Sequence, residues 1–270
     1  MIQNAIRWQL SRWRWPALRL SKGPALSLSK GRWFGGDLEI GLCRALHVRE
    51  ERLSTRPDAY RLLYVSDIHL RKGRSDLLCA QVLDSVARCN PDVVLLGGDM
   101  ADGRSELIQL RELVRKICDV APVLAIGGNH DRRIGIDCVR AAVVHGGGQW
   151  IDDDTARLRH RGRLLAISGP EAAAPIQEHV GHVHVLCAHD PRIWKTSRGA
   201  GYDLVLAGHL HGCQLVACEY RGRLFPGALF YPYCFLNNRC GSTRLVVSRG
   251  VSDLFPIRWK CPREVVLCHI

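Results

Sequence analysis

Five short clusters of residues able to hold metal ions lie between residues 66 and 211, each behind a run of apolar residues. They read Ser66-Asp67-Ile68-His69, Gly97-Gly98-Asp99-Met100-Ala101-Asp102, Gly127-Gly128-Asn129-His130-Asp131, Ala188-His189-Asp190 and Gly208-His209-Leu210-His211. Mixed Asp, Asn and His donors suit divalent manganese, iron or zinc. Seven of these residues (Asp67, His69, Asp99, Asn129, His189, His209 and His211) exceed what one closed site needs and match two. Two dications about 3.5–4 Å apart repel by roughly 17 kcal/mol at an effective dielectric near 20, so a pair needs an anionic bridge. A carboxylate and a hydroxide between the ions supply it.

The spacing has a physical reason. Residues i and i+2 of an extended chain share a face. Asp67 and His69 are therefore expected to converge while Ile68 points to the core, and His209 and His211 repeat this around Leu210. Glycines before Asp99, Asn129 and His209 let the backbone turn sharply. Singly, a D-x-H or G-N-H-D is more often a surface turn than a ligand set. Five in order, each behind an apolar strand, are not a chance arrangement.

The elements that must carry these clusters are legible. Arg61–Ser66, Asp92–Leu96 and Pro122–Ile126 read as strands. Ser75–Cys89 and Glu106–Cys118 between them place apolar residues at helical spacing (Leu78, Val82, Val86; Leu107, Leu110, Val114, Ile117). Strand-helix alternation of this kind predicts a parallel sheet covered on both faces. Further strands are expected at Leu164–Ser168, His184–Cys187 and Leu204–Ala207. Leu245–Ser248 and Glu264–Cys268 suggest a second sheet packed on the first. The fold class is α/β, and ligands of such sheets bind beyond the carboxyl ends of the strands, where all five clusters fall.

At 270 residues the chain is long enough to bury a core without metal or disulfide. Its twelve cysteines are scattered with no C-x-x-C pair, and Cys79, Cys118, Cys187 and Cys268 stand in apolar stretches where free Cys packs as a small hydrophobe. A reduced, cytoplasmic protein is expected. No apolar run reaches the length of a membrane span. Lys and Arg number 38 against 26 Asp and Glu. Seven of the basic residues fall in 1–36, which has no acid, so the rest of the chain carries only +5 of the net +12. Nucleic-acid binding is therefore not expected of the body.

Residues 1–36 differ from the remainder. They hold a short repeat (Leu20-Ser21-Lys22-Gly23, then Leu28-Ser29-Lys30-Gly31) and a basic stretch with Trp8, Trp13 and Trp15. Such an arm reads either as a disordered extension or as a peripheral contact with the inner face of a membrane. Residues 37–59 form a linker and first-strand region, and 60–270 the main domain.

The ordered set D-x-H, G-D-x-x-D, G-N-H-D, H and G-H-x-H resembles the signature of the calcineurin-like metallophosphoesterase superfamily over about residues 60–270. It is most similar to a small bacterial branch of membrane-associated phosphodiesterases, with which it shares His189-Asp190-Pro191, Gly208-His209-x-His211-Gly212-x-Gln214, Val247-Ser248-Arg249-Gly250 and Pro256-Ile257-Arg258. The resemblance implies a four-layer αββα sandwich of two packed mixed sheets flanked by helices. It implies two divalent ions, manganese first among manganese, iron and zinc: Asp67, His69 and His211 on one, Asn129, His189 and His209 on the other, and Asp99 on both. His130 would stand near the leaving-group oxygen as acid or stabiliser, Asp131 would orient it, and Asp102 would act from behind the ligands. A hydroxide between the ions would attack phosphorus in a phosphodiester or pyrophosphate.

The chain departs from the branch at Cys213, where glycine is usual, and in the aromatic segment Phe230–Cys240, which either lines the substrate groove or packs. The stretch 132–186 is too short for a large cap, so an open site is expected. Two alternatives accompany this reading: a UDP-2,3-diacylglucosamine pyrophosphatase of lipid A synthesis, and an inactive metal-bound scaffold. One branch of the former carries Arg after the motif's Asn, where His130 stands here.

Overall fold

A computed structural model describes residues 33–34, 37–56, 59–160, 163–176 and 182–270. Apart from Trp33 and Phe34, the basic arm and its proposed membrane contact lie outside the described residues. Among those described, no helix is long and apolar enough to cross a membrane.

The apolar runs pair as strands because each is buried on both faces. The first sheet runs in the order His47–Arg52, Glu264–His269, Arg61–Val65, Val93–Gly97, Val123–Ile126, Gln149–Trp150. Its last four strands are mutually parallel, and helices Ser75–Cys89 and Leu107–Cys118 make the crossovers. The expected stripe Leu78, Val82 and Val86 packs with Leu63, Val65, Val94 and Leu96 under these helices. The second sheet runs Asn237–Cys240, Thr243–Val247, Leu204–Ala207, His182–Cys187, Arg163–Ser168, Thr155–His160. Both sheets are mixed. Leu62, Tyr64, Leu95 and Ile126 of the first meet Leu165, Ile167, Val185 and Leu206 of the second in one core, so the sheets lie face to face. Among the described residues, helical cover on the far side of the second sheet is the turn Pro191–Ile193 and the short helix Trp194–Ser197 beside Tyr202 and Phe235.

One strand falls in a different place from that expected. Thr243–Val247 joins the second sheet as anticipated, but Glu264–His269 inserts into the first, parallel to His47–Arg52 and antiparallel to Arg61–Val65. Its alternate residues explain this: Val265 and Leu267 face the helices, while Val266 and Cys268 face the second sheet. A strand buried on both faces fits only the interior of a layered sheet. The charged strand His47–Arg52 takes the edge instead, where charge discourages further pairing. Residues 38–52 thus belong to the body: Leu38–Ile40 also pairs with Ile257–Trp259.

Glu264 has no exposed surface. Arg249 donates to its carboxylate from Nε at 2.8 Å and from its backbone N–H at 3.0 Å, and Arg49 lies 3.2 Å away. Burial alone would raise this carboxyl, but Arg49 and Arg249 outweigh it and hold it below the usual glutamate value of 4.5. A depressed folded value contributes stability above the unfolded value and loses it as pH falls through the folded one. Glu264→Gln leaves Arg249 without its carboxylate and takes one of two from Arg49, which keeps Glu51 at 2.8 Å; it should cost about 3–5 kcal/mol. Its melting temperature should also fall less steeply than the wild type's as pH drops below about 5. Equal acid sensitivity in thermal melts of the two proteins would contradict this account.

Candidate metal centre

The five clusters all lie at the carboxyl ends of strands: residues 67–69 after Arg61–Val65, 99–102 after Val93–Gly97, 129–131 after Val123–Ile126, 189 after His182–Cys187 and 209–211 after Leu204–Ala207. Because the sheets face each other, those ends share one rim. The local backbone is not the extended chain that the i, i+2 argument assumed. Asp67, His69, Asp99, His209 and His211 all have positive φ, between 47° and 73°, a region costly for non-glycine residues. Left-handed kinks, not a pleat, aim these side chains, and strain collected in this way marks sites where geometry matters to function. Ile68 still turns into the core, fully buried.

The kinks gather the donors into two sets. Asp67, His69 and His211 form one and Asp99, His189 and His209 another, each with ligand atoms mutually within 4.8 Å. His69 Nε2 and His211 Nε2 are 3.3 Å apart, and His211 Nε2 lies 3.5 Å from Asp67 Oδ1. In the other set, His189 Nε2 lies 3.1 Å from Asn129 Oδ1 and 3.2 Å from both His209 Nδ1 and Asp99 Oδ2. The two sets meet at one atom: Asp99 Oδ2 is also 3.7 Å from His69 Nε2. All seven predicted donors are brought together.

Three of the four rings are aimed by their other nitrogen. His69 Nδ1 lies 2.6 Å from Asp102 Oδ1, His189 Nδ1 2.9 Å from the Gly97 carbonyl and His211 Nδ1 3.0 Å from the Ser252 carbonyl. Carbonyl and carboxylate partners of this kind fix the tautomer and leave Nε2 as a donor to a cation. Gly128 lets the turn before Asn129 pass against Asp99: a Cβ there would sit 2.1 Å from Asp99 Oδ1. Buried carboxylates, an amide oxygen and three anchored imidazoles whose free nitrogens converge fit a pair of divalent cations.

One residue takes a place other than that expected. Asp131 does not orient His130. Fully buried, it accepts from the backbone N–H of Gly128 and of Met100, both at 2.9 Å, and from Ala101 at 3.3 Å. It clamps the start of helix Asn129–Ile134 to the turn after Asp99. Asp102 holds His130 instead, its Oδ1 3.0 Å from His130 Nδ1 and shared with His69. The His130 N–H in turn donates to Asp99 Oδ1 at 2.7 Å.

The electrostatics are those of a preorganised anion set. Burial would raise Asp67, but His211, His189 and His69 outweigh it and lower it. Burial opposes ionisation of Asp99 too, and the hydrogen bond and charge of His189 hold it far below the usual carboxylate range. Burial disfavours charge on His189, yet Asp99 and Asp67 bring it up to about 9. His211 goes the other way, to about 4, because burial dominates there and His69 and Arg258 add to it.

Sequence reasoning gave no role to the residues behind His211, although Arg258 stands in the shared Pro256-Ile257-Arg258. Arg258, 1% exposed, donates to the carbonyls of Ser252 at 2.7 Å, Arg249 at 2.9 Å and His211 at 3.3 Å, and to Asp253. It joins the loop carrying His211 to the loop carrying its carbonyl partner. An arginine 47 residues downstream gives no local signal of that role. The aromatic segment divides: Cys234 and Phe235 pack, while Phe230 and Tyr231 are exposed. The stretch 132–186 holds helix Ile136–His145 and short strands, with no cap among the described residues.

The chain has several known relatives. Phosphodiesterase YaeI of Escherichia coli (strain K12) is 23% identical over 222 residues, covering 78% of this chain and 82% of that protein. A zebrafish (Danio rerio) transmembrane protein with metallophosphoesterase domain is 30% identical over 200 residues, 61% of this chain but only 43% of that protein. Among solved structures, the phosphopantetheinyl hydrolase PptH of Mycobacterium tuberculosis is similar at 13% identity over 76% of this chain and 96% of that one, with a TM-score of 0.45. The family model for calcineurin-like phosphoesterase matches residues 60–213. That match is more than half of the chain and takes in all five donor clusters; the chain belongs to the calcineurin-like phosphoesterase family and is a hydrolase of phosphoric esters.

Proposed function

We propose that this protein hydrolyses a phosphodiester or pyrophosphate bond at a site for two divalent cations. The observation that carries the reading is the position of Asp99 Oδ2, 3.7 Å from His69 Nε2 and 3.2 Å from His189 Nε2, where the two donor sets meet. In this reading Asp67, His69 and His211 hold one ion, Asn129, His189 and His209 the other, and Asp99 both. When bound, the ions would acidify a water and offset charge on the phosphoryl oxygens. The residues do the rest. Asp99 contributes the negative charge that lets two cations approach. Asp102 fixes the rings of His69 and His130, and His130 presents its remaining nitrogen to the leaving-group oxygen.

The test is hydrolysis of bis-p-nitrophenyl phosphate and p-nitrophenyl phosphate by metal-stripped protein, with Mn²⁺ added back. Restored hydrolysis that favours the diester supports the reading. Metal content near two ions per chain together with no turnover on diesters or pyrophosphate esters would replace it with a metal-bound scaffold.

A further inference from the structure

Outside the donor sets, two thiols lie in contact beside the loop that carries His211. Cys213 Sγ and Cys234 Sγ are 2.9 Å apart. A disulfide needs about 2.05 Å, so closing the gap takes a movement of about 1 Å. Cys213 ends the turn His211–Cys213, and Cys234 follows helix Gly227–Phe230. Both belong to a small apolar cluster with Val216, Leu224 and Cys261. The seat is shaped for sulfur: a Cβ at Gly227 would lie 2.4 Å from Cys213 Sγ and 3.1 Å from Cys234 Sγ. Cys213 is partly exposed and Cys234 buried, so an oxidant reaches one thiol and the other stands behind it.

The loop on which Cys213 sits has little slack. His209, His211, Gly212, Cys213 and Gln214 all have positive φ. The Cys213 N–H donates to the Leu210 carbonyl at 2.7 Å, and the Cys213 carbonyl accepts from Leu215 N–H at 2.6 Å. A pull on Cys213 is therefore passed to His211 two residues away rather than absorbed. By contrast, Cys187 and Cys268 are buried in the inter-sheet core, and no other pair of sulfurs among the described residues makes such a contact.

We propose that Cys213 and Cys234 are an oxidative modification site, joined by a peroxide into a disulfide that draws the His211 loop out of register and releases the cation held with Asp67 and His69. The chemistry balances. Cys213 sulfur takes a hydroxyl from hydrogen peroxide, giving a sulfenic acid and one water. The Cys234 thiol then attacks that sulfur, and the hydroxyl leaves with the thiol proton as a second water. Two electrons pass from the thiol pair to the O–O bond, and a dithiol reductant reverses the link by exchange. The consequence for turnover rests on the metal-dependent reading above; formation of the link does not.

The test treats Mn²⁺-loaded protein with hydrogen peroxide, then maps unreduced peptides, counts bound Mn²⁺ after gel filtration and measures diester hydrolysis. The expected result is a Cys213–Cys234 linked peptide, a fall from about two ions per chain to about one, and a loss of hydrolysis of at least tenfold that dithiothreitol restores. Cys234→Ala, checked for folding by its melting temperature, should retain untreated activity and keep both ions after peroxide. Absence of the linked peptide overturns the proposal, and so does a linked protein that keeps both ions. Reduced protein that binds no Mn²⁺ would instead count against the proposed function, with the peptide map still deciding whether the link forms.

Discussion

Asp99→Ala should bring diester hydrolysis down by at least about 10³-fold, the scale on which a preorganised electrostatic group acts, and should bind fewer than two Mn²⁺ per chain. Asp99 Oδ2 is the atom shared by the two donor sets, and two dications at the usual separation repel by roughly 17 kcal/mol at an effective dielectric near 20. If two ions bind as proposed, removing the carboxylate where the donor sets meet leaves that repulsion less opposed. Asp99→Asn separates charge from shape. It keeps an oxygen for the His130 N–H, which now donates to Asp99 Oδ1 at 2.7 Å, but supplies no negative charge. If charge is what matters, Asn should be nearly as damaging as Ala. Inductively coupled plasma counts of Mn²⁺ on both variants check it, and either variant holding two ions with near-normal turnover would overturn the role given to Asp99.

The donor clusters were legible in the sequence because each follows an apolar strand, and apolar periodicity is a strong signal. The helix Ser75–Cys89 and the strand Leu204–Ala207 fall where the pattern puts them. What the pattern does not carry is backbone handedness. Period-2 reasoning placed Asp67 and His69 on one face of an extended segment, whereas both are left-handed; Asp and His tolerate that region better than most residues, but so weak a preference does not announce a conformation imposed by the surrounding turns. Long-range partners are equally silent. The carbonyl of Ser252 that aims His211, and Arg258 that holds both loops, come from a segment that the resemblance picks out without saying what it touches. The same limit explains Asp131. Adjacent to His130 in sequence, it looks like that ring's partner, but at the third position of a helix its carboxylate turns back to the backbone N–H of Gly128, as capping carboxylates do. Asp102, 28 residues away, takes the ring.

His130→Ala should lower turnover by about 10²–10³-fold while both ions stay bound. The ring stands beside the donor sets rather than within either. It packs edge-on against His69 with centroids 4.7 Å apart, it is partly exposed, and its Nδ1 is taken by Asp102. With Nδ1 held, Nε2 is the nitrogen free to meet substrate, placing a donor next to the centre without spending a ligand. A group that protonates the departing oxygen matters in proportion to that oxygen's basicity. The loss in His130→Ala should therefore be larger for an alkyl diester than for bis-p-nitrophenyl phosphate, whose nitrophenolate leaves without help. A ring that only offsets charge on the phosphoryl oxygens would cost the same on both substrates. Asp102→Asn gives the companion result: it weakens the anchoring of His130 and His69 together, so it should lower both turnover and the affinity for one ion, a pairing that His130→Ala does not show. Parallel kinetics on the two diesters, with metal counts on each variant, separate these roles, and loss of metal from His130→Ala equal to that from Asp99→Ala would remove His130 from the chemistry and place it among the ligands.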